Sequence, residues 1–388
     1  YSRALALGLE HDDQGTYRAR RGRGIMRHRT GRYRDALEDF ATATQRAERL
    51  GDHVAALESI LDESEARDWM QDYVGARELV YRARDTLPDD APLPLRARVH
   101  MGLGRTEARS GSVVTAREQL ERAVAMASEL GDDGYETLVI SLIMLQPTLL
   151  ALGRHDDAEA TLRRGLELAT ARSDRLHLAA LLQNKTYSDL GRGAFAEALE
   201  DALASRRASR ELGATAAELY AESVIAEMLY AHGDYEQSVQ YADRALALAA
   251  SLPGGAPAAP MLRRGRIALA MGDLEQARRV TTELLSMQER LRTEGTEMFM
   301  APEQLLLRMI DLATRAATDE EWSALEDDTR QLDFQTDPLE VMEMRARWLV
   351  AHGERAKARE KLEGARRLAT GFCAHMLPRL TRILDSID

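Results

Sequence analysis

The chain has 388 residues, 30% charged and 45% hydrophobic, with a formal net charge of −12 at pH 7. That acidity argues against a general nucleic-acid binder, whose contact face must be basic. Cys373 is the only cysteine, which rules out an internal disulfide and is compatible with a reducing, cytoplasmic setting.

Ala, Leu, Arg and Glu dominate and β-branched runs are rare, which is the composition of long helices. Lys occurs only at Lys185, Lys357 and Lys361, a bias that reads as a GC-rich genome. No apolar run is expected to cross a membrane: Leu138 to Leu152 comes nearest, but Gln146 and Pro147 interrupt it and it reads as a buried helix.

One short pattern recurs along the chain: Gly, any residue, a bulky residue, two more, then Ala. Gly accepts positive φ and ends a helix at low cost, the bulky residue wedges into the preceding helix, and the Ala lets two backbones approach. Each copy therefore marks the turn inside an antiparallel helix pair and the start of its second helix. The Ala position falls at Ala36, Ala76, Ala116, Ala158, Ala198, Ser238, Ala277, Ala324 and Ala358, close to forty residues apart. A pair of this size cannot bury its apolar face alone, so neighbours must stack.

In chain order, Tyr1 to Leu7 echoes Tyr241 to Leu248, so residues 1–12 read as the truncated second helix of an upstream repeat in a longer protein. Residues 13–291 hold regular repeats one to seven. Repeat one has a basic first helix, with Arg18, Arg20, Arg21, Arg23, Arg27 and Arg29. Repeat two has an acidic one, with Asp62, Glu63, Glu65 and Asp68, then Trp69. Pro253 to Pro257 is the clearest loop. Residues 292–304 form an irregular insertion whose Met298-Phe299-Met300 either caps the core or offers a sticky segment to a partner. Residues 305–372 hold repeats eight and nine, and 373–388 a capping helix.

The pattern resembles the tetratricopeptide repeat (TPR). Leu103-Gly104 stands before the turn at Gly111, Gly24 and Gly265 match the same glycine, and Ala245-Leu246 closes a second helix. Leu50-Gly51-Asp52, Leu130-Gly131-Asp132 and Leu212-Gly213 replace the usual Pro between repeats. The long repeat is similar to those of kinesin light chains and of large bacterial regulators of the maltose-activator, STAND type. The resemblance implies an all-α, right-handed solenoid of about nine helix-turn-helix repeats. It also implies an interaction or sensor arm of a larger bacterial signalling protein, fused to an ATPase, kinase, cyclase or DNA-binding module. Such an arm would bind a peptide, a protein or a small effector in a concave groove lined by first helices. The alternative is a passive scaffold for assembly or oligomerisation. Nucleic-acid binding through Arg18 to Arg34 is the least favoured reading.

No nucleotide loop, dinucleotide fingerprint or His-Glu-x-x-His motif occurs, so the chain reads as a non-enzyme without cofactor or metal. His11-Asp12-Asp13 and His155-Asp156-Asp157 suit helix starts better than a metal. The expected groove positions are Arg18, Arg21, Arg29, Glu65, Trp69, Arg98, Arg105, Arg109, Gln183, Tyr187, Tyr220, Glu227, Tyr230 and Arg266. Glu58, Leu262, Glu340, Glu343 and Arg347 fall on the same stripe. Tyr and Arg are hot-spot residues, and Arg clamps carboxylates. Equally, the Arg and acidic stripes could neutralise each other between repeats, and the Tyr rings could fill inter-repeat gaps.

Overall fold

The structure of the chain is a computed structural model that describes residues 1–2, 12–70, 72–252, 258–291, 302–329, 336–369 and 371–387. Residues 3–11 of the upstream stump, the Pro253 to Pro257 loop and Met298-Phe299-Met300 lie outside the described residues. Those described form 19 α-helices and no strand. They run α1 (Asp13–Arg29), α2 (Tyr33–Arg49), α3 (His53–Trp69), α4 (Tyr73–Asp85), α5 (Leu93–Arg109), α6 (Val113–Glu129) and α7 (Tyr135–Ala151). There follow α8 (His155–Ala171), α9 (Arg175–Gly191), α10 (Phe195–Glu211), α11 (Thr215–His232), α12 (Tyr235–Ser251) and α13 (Ala258–Ala270). The last are α14 (Leu274–Leu291), α15 (Pro302–Thr314), α16 (Asp319–Thr329), α17 (Thr336–Ala351), α18 (Arg355–Leu368) and α19 (Leu377–Asp385). Odd-numbered helices up to α17 are the first members of successive pairs.

Turn chemistry sets these boundaries. Gly31, Gly111, Gly153, Gly193, Gly233, Gly272 and Gly353, within pairs, and Gly51, Gly131 and Gly213, between them, all take positive φ. After Gly51 the Asp52 carboxylate accepts from the Ala55 N–H at 3.0 Å and caps α3. The Ala of the pattern is the fourth residue of each second helix, and Ala36, Ala116, Ala158, Ala198, Ser238, Ala277 and Ala358 are wholly buried. Ala324 departs from this expectation: it is exposed. Helix α16 begins at Asp319, so its fourth residue is Trp322, and that ring is wholly buried instead. It faces the short helix α15, beside Leu305, Met309 and Leu325.

The chain divides into two compact units. The first comprises residues 1–184, 204–218 and 250–256. In it each helix from α1 to α7 packs on its successor, and α1, α3, α5 and α7 pack on one another in turn. Close approach is visible at Gly104, where a Cβ would lie 2.5 Å from Leu120 Cγ. The second unit comprises residues 185–203, 219–249 and 257–388. There α13 to α19 pack successively, with α13, α15 and α17 also in direct contact. Its largest core runs from Leu339 and Met342 through Leu362 to Leu380 and Leu384, so α19 covers the apolar face of the last pair.

Residues 131–151 are, contrary to the expectation for this region, long and apolar enough to span a membrane by length and composition. Half of that stretch is buried in the protein, and Ser141 and Gln146 lie within it, so its apolarity serves the repeat core.

Candidate functional site: the stripe of first helices

In the first unit, equivalent positions on neighbouring first helices are bonded one repeat apart. Arg21 donates to Asp62 at 2.7 Å, Arg105 to Ser64 at 3.0 Å, Arg109 to Asp68 at 3.2 Å and Asn184 to the Ile143 carbonyl at 2.7 Å, each across 41 residues. Arg98 reaches Asp62 from the other side at 2.5 Å, and Arg21 also pairs with Glu58 at 2.7 Å. Asp62 is thus held between α1 and α5. Burial would lift its carboxyl, but Arg98 and Arg21 outweigh burial and hold it below the ordinary range. The expected groove residues Arg21, Arg98 and Arg109 are therefore engaged by acids of α3, and Arg105 by Ser64 and, at 4.0 Å, by Asp68. Arg29 is exposed and pairs with Glu136 at 2.7 Å. Arg18 is exposed on α1, and Gln183 is half-buried on α9.

At the end of α3 the pattern changes. Trp69 is 49% exposed and stacks on buried Tyr33, with ring centroids 6.2 Å apart and planes 7° from parallel. His28 meets Tyr33 at 5.5 Å. Burial depresses the His28 imidazole, against the pull of Glu65 and Asp62, and its Nε2 has no partner among the described residues. Glu65 is half-buried, one turn before Trp69.

In the second unit Tyr187, Tyr220 and Glu227 come together. The Tyr187 phenol is raised well above its ordinary value, first by burial and then by Tyr220 and Glu227. Tyr220 is 44% exposed, and Glu227 pairs with Arg263 at 2.9 Å. The Arg263 guanidinium lies 5.4 Å from the Tyr230 ring centre. Beyond this point the stripe is closed. Arg266, buried, pairs with Asp337 at 3.0 Å and Glu340 at 3.4 Å. Arg347 donates to the Ala270 carbonyl at 2.7 Å and pairs with Glu343 at 2.9 Å. Arg379 of α19 pairs with Glu343 at 2.7 Å, lies 4.3 Å from the Tyr230 ring centre and donates to the Tyr230 carbonyl at 3.3 Å. Tyr230 and Arg266 are thus interior groups, whereas Tyr187, Tyr220 and Glu227 keep a face toward solvent.

Sequence reasoning passed over Arg263, Asp337, Arg379 and Asn184 as site residues. Asp62 was visible as the acid one repeat-length after Arg21, and charge complementarity at that spacing is the signal that identifies its role. Arg379 had no such signal, because its partners precede it by 36 residues or far more. A separate cleft of about 560 Å³ lies among α16, α17 and α18. In it Glu326 takes Arg345 and Lys361, both at 2.9 Å, and Asp319 takes Arg345 at 2.8 Å. Among the described residues no three His, Cys, Asp or Glu side chains are placed to hold a metal ion.

No family model matches the chain, and no curated protein sequence does. Solved structures do. A Rap protein complexed with Competence and Sporulation Factor superposes with a TM-score of 0.59 at 12% identity, covering 96% of this chain and 99% of that one. NprR in complex with its cognate peptide NprX gives 0.56 at 13% identity, covering 95% and 98%. A signal transduction ATPase with numerous domains from Pyrococcus horikoshii, which carries a tetratricopeptide repeat sensor, gives 0.52 at 15% identity. That match covers 92% of this chain and 54% of the ATPase. The fold is that of a TPR-type all-α solenoid.

Proposed function

We propose that the chain is a peptide-binding sensor module. A short peptide lies on the first-helix stripe and is read by Tyr187, Tyr220 and the Arg263–Glu227 pair. The observation that carries this reading is the contrast along the stripe. Most of its charged side chains are paired with a neighbouring helix, while two tyrosines and an ion pair come together with a face toward solvent, where aromatic and charged groups serve as binding anchors. Two similar folds, the Rap protein with Competence and Sporulation Factor and NprR with NprX, were solved with peptide ligands, which supports the peptide as the ligand class. The sensor repeat of a multidomain ATPase supports a fused effector module. In this reading the peptide changes the packing of successive first helices and so the posture of whatever the module is joined to.

Selection of a random heptapeptide display library against the chain tests the reading. Enriched peptides should bind with Kd values of about 1–100 μM. Tyr187→Ala with Tyr220→Ala should weaken them by about tenfold or more, the scale expected on losing an aromatic anchor. No enrichment over an unrelated helical-repeat protein, or equal binding by the double variant, overturns it.

A further inference from the structure

The first unit leaves one α3 carboxylate without an ion pair among the described residues. Helix α3 carries Glu58, Asp62, Glu63, Glu65 and Asp68. Arg21 takes Glu58, Arg21 and Arg98 take Asp62, Arg67 takes Glu63, and Arg109 takes Asp68. Among the described residues, Glu65 alone of the five has no ion pair. Arg98 feels the Glu65 charge but is bonded to Asp62, while Arg105 donates to Ser64 and Arg29 to Glu136. A half-buried carboxylate left unpaired has lost part of its hydration without compensation, so a cation from outside would be favourably received.

Trp69 stands one turn further along the same helix, and residues four apart share a face. One side of its ring is fixed on Tyr33, which His28 meets in turn. The remainder of this large apolar ring is open to water. The Tyr33 phenol is raised by burial and then by the Glu65 charge, so the carboxylate lies within electrostatic reach of the stacked pair. An open indole face beside an unpaired carboxylate is the chemistry that receives a guanidinium or an ammonium, through the ring quadrupole on one side and charge on the other.

We propose that Glu65 and Trp69 form a subsite, within the first unit, for a single cationic side chain, an arginine or a lysine, of a peptide or protein ligand. The proposal stands apart from the tyrosine site of the second unit, and it is tested without any peptide. The probe is N-acetyl-arginine methylamide, compared with the isosteric, uncharged N-acetyl-citrulline methylamide, with N-acetyl-lysine methylamide and glycinamide separating side-chain cations from a terminal ammonium. The readout is tryptophan fluorescence, with Trp69→Phe assigning the signal, because Trp322 is wholly buried and Trp348 is packed against the core. The arginine and lysine compounds should give a saturable change at millimolar concentration, and the citrulline compound and glycinamide none. Glu65→Gln should weaken the response about tenfold, the scale of a lost charge-assisted contact, and Glu65→Asp should largely retain it. An equal response to citrulline in the unaltered protein, or an undiminished response in Glu65→Gln, overturns the proposal. A dominant response to glycinamide overturns the side-chain assignment. A selective arginine response with no peptide enriched from the library would leave the cation subsite standing and remove the peptide reading.

Discussion

Asp62 shows how a residue that reads as a groove acid becomes structural. It is 8% exposed and accepts from Arg21 and Arg98 on the helices either side. Asp62→Ala strands two largely buried guanidinium groups, and breaking a buried pair in this way costs about 3–5 kcal/mol. The expected outcome is a lower urea midpoint without loss of helical content at low denaturant. The pH dependence has a definite sign. The folded chain holds this carboxyl below its ordinary value. Its contribution is therefore complete above the unfolded value of about 3.9 and is lost as pH falls from there through the depressed folded value. Asp62→Asn should remove that portion of the acid sensitivity, and an unchanged acid-unfolding profile would contradict the assignment. The Arg98, Arg105 and Arg109 stripe was legible as a periodic face. Which of its charges remain free was not, because that depends on the rotamers of acids one repeat away.

At the scale of elements, the pattern read from sequence works through backbone geometry, and it held wherever the glycine is present. It also held at α4, where Gln71 stands in the glycine's place and Ala76 is buried, and slipped at α16, where the start moved so that Trp322 took the seat assigned to Ala324. The same geometry separates two otherwise equivalent turns. Gly233 and Gly353 have φ of 86° and 80°. Nothing lies within 4 Å of a Cβ at Gly353, whereas at Gly233 it would meet Arg382 Nη2 at 2.6 Å and Arg379 Cβ at 3.3 Å. Gly353→Ala should therefore cost only the backbone penalty of about 1–2 kcal/mol. Gly233→Ala should cost measurably more, because the Arg382 guanidinium must move aside and Arg379 must give by a few tenths of an ångström. Equal losses in denaturant unfolding would show that α19 does not seat against this turn. Arg379→Ala reaches the same contact from the other side. It leaves the wholly buried Glu343 carboxylate with one cation fewer, an effect of about 3–5 kcal/mol for a broken buried pair.

Across the whole chain, the fold was legible because it is repetitive: an error in one copy of a forty-residue pattern is corrected by eight others. The binding surface has no such redundancy. Repeats share their turns and their alanine seam, but each carries different side chains on its first helix, and only packing decides whether those are consumed by a neighbour or left for a ligand. Bonds such as Arg21 to Asp62 and Arg109 to Asp68 join nearest neighbours in the stack. Stability in such a stack is a sum of repeat and neighbour terms, and disturbance should travel a short way. Hydrogen exchange on Asp62→Ala should accordingly quicken in α1, α3 and α5, which meet at that carboxylate, and stay unchanged in α17 to α19, whose packing is set by Leu339, Leu362 and Leu380. Uniform acceleration through all helices would mean that the chain opens as one cooperative body. On the proposed peptide-sensor reading, a bound signal could then be passed on only through global unfolding. Confined acceleration is the behaviour a sensor built from separable repeats requires, since it lets ligand binding repack a few first helices while the rest of the stack keeps its structure.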